Sequence, residues 1–99
     1  MEKFEKRVQA AIKEMISLGY KPKIFMSMIF ESDTVTAVKK LLNSNKISDG
    51  FVKLFDKGRL DLSMENIVFS EDWGGLFTPE EKNIAKKRLI EYNFIKDEH

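Results

Sequence analysis

Five carboxylates, Asp56, Asp61, Glu65, Glu71 and Asp72, make the densest acidic neighbourhood of the chain. Paired carboxylates are a standard means of moving protons in catalysis. Density alone makes no site, however. Charged residues are 33% of the sequence, and solvated faces, helix caps and ion pairs account for most charges in a globular chain. Metal chemistry finds fewer donors still. There is no cysteine, and the only histidine is His99, at a terminus where fraying makes a poor ligand or catalyst. Hard oxygen sites remain conceivable. A calcium-loop pattern begun at Asn45 puts Asp49 and Gly50 in the fifth and sixth places. Ile47 then stands where an oxygen ligand belongs, and Asp56 replaces the closing glutamate. Gly58, Gly74 and Gly75 form neither of the common phosphate-binding glycine patterns. No catalytic residue, metal or cofactor is therefore assigned, and the chain is read as a non-enzyme.

Binding is the remaining class, and two segments bear on it. From residue 24 to residue 30 the run Ile-Phe-Met-Ser-Met-Ile-Phe carries apolar side chains around almost a whole helical circumference, so something must cover every face. In so small a domain this helix is expected at the centre of the core, wrapped by its neighbours. The functional alternative is that one side, with Met26, Met28 and Phe30, meets a partner protein or a second copy of the chain, since methionine adapts to varied surfaces. Trp73, in Glu-Asp-Trp-Gly-Gly-Leu-Phe, follows the same logic. A loop tryptophan closes the edge of a core or anchors an interface, and the first use is the simpler.

The second segment, about residues 34–57, has the helix, turn and helix order that places a second helix in the DNA major groove. Lys46, Lys53, Lys57 and Arg59 are its candidate nucleic-acid contacts. Its second helix opens Ser48-Asp49-Gly50, with Asp49, Val52, Lys53, Asp56 and Lys57 facing outward, a mixed set with acid where phosphates would approach. Two core helices joined by a short turn is the plainer account.

The elements that position these residues are helical throughout. Phe4, Val8, Ala11, Ile12, Met15, Ile16 and Leu18 recur at helical spacing, and Gly19 followed by Pro22 closes that helix. The run from Lys21 to Glu31 is compatible with a buried strand or a buried helix; unbranched Met26, Met28 and Phe30 and the early proline favour helix. Ser32 or Asp33 caps a helix to about Asn43, with Val35, Ala37, Val38, Leu41 and Leu42 on its apolar face. Ser48 or Asp49 caps another with Phe51, Leu54 and Phe55 inward, ended by Gly58. Ser63 opens a short helix bearing Met64, Ile67, Val68 and Phe69, and an ordered loop follows to Leu76. Thr78, Pro79 and Glu81 spell a capping box for a last helix to about Tyr92.

Composition agrees. Over 99 residues, hydrophobic types make up 42%, and 17 Lys and Arg oppose 16 Asp and Glu for a net charge of +1. That size and mixture suit one folded domain, and the balance names no polyanionic partner, though Lys82, Lys86, Lys87 and Arg88 crowd the last helix. The longest apolar run is far shorter than the roughly 20 residues a spanning helix needs. No secretory signal is apparent in residues 1–11, so no membrane association is expected and the cytoplasm is the expected location.

Three strings, Gly19-Tyr20-Lys21-Pro22, Gly58-Arg59-Leu60-Asp61-Leu62 and Leu76-Phe77-Thr78-Pro79-Glu80-Glu81, resemble the pattern of a small bacterial protein family found alone or attached to larger proteins. The resemblance spans most of the chain and implies a shared fold. That family has no established activity, so it brings no site residue with it. Residues 1–99 are thus expected to form one all-α domain of about five to six short helices. Its function is expected to be a protein-interaction or self-associating module, with a homodimer among the possibilities and nucleic-acid binding the alternative.

Overall fold

The computed structural model describes residues 2–96; His99 falls outside them. The described chain is all-α, with helices α1 (Glu2–Ser17), α2 (Lys23–Glu31), α3 (Thr34–Asn43), α4 (Asp49–Asp56), α5 (Met64–Ser70) and α6 (Pro79–Glu91), and one 3₁₀ turn, Leu60–Leu62. The turn occupies what the sequence suggests is a plain connector.

Local chemistry sets the boundaries. Asp33, Ser48, Ser63 and Thr78 each accept a backbone N–H from the first turn of the helix they precede, a cap worth about 1 kcal/mol. Thr78 and Glu81 complete the reciprocal capping box. At Gly19 the backbone turns left-handed (φ 91°). Its N–H there donates to Ile16 O and that of Tyr20 to Met15 O, the paired bonds that close a helix. Gly58 (φ 69°) repeats the arrangement on α4, with Arg59 N–H reaching Leu54 O at 2.8 Å. Asn93 (φ 60°) does so after α6, where Phe94 N–H reaches Leu89 O at 2.9 Å. Asparagine tolerates that region, and this third stop carries no glycine to announce it.

Helices α1, α3, α5 and α6 form the framework, with α5 lying along α6 as the most extensive pairing. Phe4, Val8, Ala11, Ile12 and Met15 bury one stripe of α1 against Ala37, Val38 and Leu42 of α3, Ile67 and Val68 of α5 and Ala85 and Leu89 of α6. Phe4 meets Trp73 and Phe77 edge to face, at centroid separations of 5.0 and 5.2 Å. Trp73 Nε1 donates to Ile67 O at 2.8 Å, so the half-buried indole closes the end of the core.

Four expectations are corrected. α2 is not the centre of the core: it packs mainly on α3, and Phe25 is its one buried residue. The core that α2 leaves is filled by α1, α3, α5 and α6, whose facing positions include the buried small residues Ala11, Ala37 and Ala85. Phe55, expected inward, is 43% exposed and lies edge-on to Tyr92 at 4.9 Å. Ile16 and Phe69 likewise stay partly in solvent. Arg88, grouped with the basic face of the last helix, is buried.

Two polar ties join α6 to α3. Arg88 donates to Glu65 Oε2 at 3.0 Å and to the carbonyls of Leu41, Leu42 and Ser44 at 3.0, 3.3 and 2.7 Å. Glu81 accepts from Lys39 Nζ at 2.7 Å, Asn43 Nδ2 at 2.9 Å and Thr78 N–H at 2.9 Å. Burial alone would raise the Glu81 carboxyl, but these donors outweigh it and hold the group at about 2. Burial pushes the Glu65 carboxyl upward, against its own backbone N–H and the Arg88 guanidinium.

The signs of these two shifts are opposite. A depressed carboxyl stabilises the fold above its unfolded value and loses that contribution as pH falls through the folded one. For Glu81 the window runs from about 4.5 down to about 2, and the contribution is roughly 3 kcal/mol. The raised Glu65 works the other way, losing its contribution as pH rises. Urea unfolding of wild type and Glu81→Gln at neutral pH and at about pH 3 is expected to show a large deficit at neutral pH that shrinks in acid. An equal deficit at both would contradict the Glu81 tie.

Candidate functional site

The concave feature of interest is a cleft of about 550 Å³, within the range of ligand and peptide pockets. It lies between α2 on one side and the α3–α4 turn with the first turns of α4 on the other. Phe25 and Met28 of α2, Leu41 and Ile47 around the turn, and Phe51 and Leu54 of α4 supply its apolar sides. Met15, Tyr20 and Met64 line it from α1, the α1–α2 link and the start of α5. Ile24, 76% exposed, stands at its lip.

Each wall follows from a local cause. Gly19 and Pro22 turn the chain so that α2 departs from α1 with the intervening Tyr20 beside α4. Gly50, in the first turn of α4, admits that ring: a Cβ there would come 3.0 Å from Tyr20 Oη. Lys53 Nζ lies 5.9 Å from the Tyr20 ring centroid. Burial, then the neighbouring Asp49 charge, raises the Tyr20 phenol further above its ordinary value, so at neutral pH it is a neutral hydroxyl.

The polar groups deeper in the cleft, Ser48, Ser63 and Glu65, are committed to the fold. Ser48 Oγ accepts from Phe51 N–H. Ser63 Oγ donates to Leu60 O at 2.7 Å and accepts from Asn66 N–H. Glu65 is held by Arg88. Among the described residues no group of three or more His, Cys, Asp or Glu is placed to hold a metal ion. The acidic neighbourhood disperses likewise: Asp61 pairs with Arg59 at 3.0 Å and Glu71 with Arg7 at 2.8 Å. Residues 49–56 are helix, which is incompatible with the ligand loop considered at Asn45. What the cleft offers is an apolar interior edged by exposed lysines.

The four candidate partner contacts separate. Met28 lines the cleft. Met26 and Phe30 lie on the opposite flank of α2, along a shallower groove of about 440 Å³ with Lys21 and Lys23, and Phe30 is 91% exposed. Trp73 is remote from both, at the far end of the core against Phe4. Ile24, Tyr20, Ile47 and Gly50 were not singled out as contacts in the sequence. The apolar circumference of α2 was the signal for Ile24; nothing local signals that a turn residue such as Ile47 faces α2.

The candidate nucleic-acid contacts do not form one free surface. Lys57 Nζ donates to Leu18 O at 3.2 Å and helps close α1. Arg59 holds Asp61 with two hydrogen bonds, at 3.0 and 3.2 Å, and approaches Glu14 at 3.8 Å. Lys53 lies over Tyr20, and exposed Lys46 lines the cleft. α4 packs chiefly on the 3₁₀ turn rather than on α3, unlike the paired helices of a DNA-reading unit.

Comparison with protein-family models, with curated proteins and with solved structures finds no match to this chain. No described helix is long and apolar enough to cross a membrane.

The exposure pattern of α2 generates a clear mutational contrast. Ile24→Ser and Phe30→Ser are expected to change unfolding stability by no more than about 0.5 kcal/mol, whereas Phe25→Ala should cost about 3 kcal/mol. Urea melts of the three variants test this, and a large loss for the two exposed residues would show that α2 is buried in solution.

Proposed function

We propose that the chain is a non-enzymatic, cytoplasmic protein-interaction module that docks a partner protein on α2 and the adjoining cleft. One observation carries the reading: Ile24, on the nine-residue helix α2, stands 76% exposed at the lip of an apolar cleft of about 550 Å³. Single exposed apolar residues are ordinary, but an apolar cleft whose lip carries an exposed apolar side chain is the form an interaction site takes. Half-buried Met28 supplies an adaptable side chain in the wall, over the buried Met15 and Met64.

Binding of nucleic acid has weaker support, because Lys57 and Arg59 are occupied by Leu18 O and by Asp61. Self-association is the nearer competitor and is separable by hydrodynamics. Affinity capture from the producing cells, with wild type, Ile24→Glu and Met28→Glu as baits, is expected to retain a protein that both variants lose by about tenfold, as truncating an interface anchor does. Sedimentation velocity of the purified chain is expected to give a monomer. A captured protein indifferent to both variants, or none, would sink the reading.

A further inference from the structure

The cleft has a charge signature as well as an apolar interior. Lys21, Lys23, Lys46 and Lys53 line it, all exposed, against a single exposed carboxylate, Asp49. Glu65, the other acidic residue reaching it, is neutralised by Arg88 at 3.0 Å. The whole chain is nearly balanced at +1, so this basic rim is a local concentration and not a reflection of overall charge. We propose that the cleft's occupant is an amphipathic helix of a partner protein, its apolar anchors seated between α2 and α4 and its flanking acidic side chains on the lysine rim.

Three observations select that occupant. The groove is walled by helices, with half-buried Met28 in its side over the buried Met15 and Met64, the kind of apolar groove that receives helical anchors spaced three and four residues apart. Ile24 stands 76% exposed at the lip, so apolar surface continues beyond the space a small amphiphile would fill, and a helix wider than the cleft would cover it. A second copy across a two-fold axis would set lysine rim against lysine rim. Opposed charge on the partner steers encounter and fixes orientation, while the apolar anchors supply the affinity.

This inference rests on the interaction reading above and can fail separately from it. Display of random twenty-residue peptides against the immobilised full chain is expected to enrich sequences with apolar residues at helical spacing flanked by Asp and Glu. In fluorescence anisotropy, the best peptide should lose about tenfold or more in affinity to Ile24→Glu and to the charge-reversed K21E/K23E/K46E chain. The same peptide with lysine in place of its acidic residues should prefer the reversed chain. All four substituted positions are exposed, and circular dichroism checks that the variants stay folded. Enriched peptides without an acidic bias, or binding that Ile24→Glu leaves intact, would overturn the proposal. If partner capture still depends on Ile24 and Met28 in that case, the interaction reading survives and this one does not. Failure to enrich any peptide also overturns it, and one-to-one binding of oleate would then identify the occupant as a small anionic amphiphile.

Discussion

Arg88 carries its charge inside the molecule, and much of the architecture follows from what receives it. Its guanidinium donates to Glu65 and to three carbonyls at the end of α3, those of Leu41, Leu42 and Ser44. The last carbonyls of a helix lack intrahelical partners and bear the negative end of its dipole, so a cation placed there meets a need as well as a charge. The desolvation cost of such a buried group is large and is offset only when its donors are well used. Four hydrogen bonds meet that condition. One side chain of α6 therefore fixes where α3 stops, how the chain enters the turn toward α4, and how α5 sits on α6.

The cleft stands on this frame. Ser44, Lys46 and Ile47, which follow the end of α3, form one side of it, and Ser63, Met64 and Glu65 contribute from the start of α5. Both regions are held by Arg88. Glu81 adds a second tie to α3 about two turns earlier in α6, through Lys39 and Asn43. Between them the two charged residues tie α6 to α3 at two levels. α2 is attached through Phe25 and its packing on α3, and α4 through Phe51, Leu54 and the 3₁₀ turn.

The helix boundaries were legible because they depend on nearby residues. Asp33, Ser48, Ser63 and Thr78 cap, and Gly19 and Gly58 stop, for reasons contained within a turn of chain. The buried face of α6 was not legible. Glu81, Ala85, Arg88 and Leu89 are its buried residues, a helical stripe in which two of four members are charged, so a search for apolar periodicity passes over it. α2 misled in the opposite sense. Its apolar circumference marks surface that water does not favour, yet whether a helix of the same chain or another molecule covers it is a matter of tertiary packing. The basic rim was illegible for the same reason: Lys21, Lys23, Lys46 and Lys53 come from three separate stretches of sequence that only the fold gathers.

The central claim is that the surface around Ile24 meets another protein. A photo-crosslinking amino acid placed at position 24 in the living cell tests this directly, with position 87, exposed on α6, as the control. The expected result is a discrete crosslinked product from position 24 that Met28→Glu abolishes and that position 87 does not give. The same products from both positions, or none from position 24, would contradict the account.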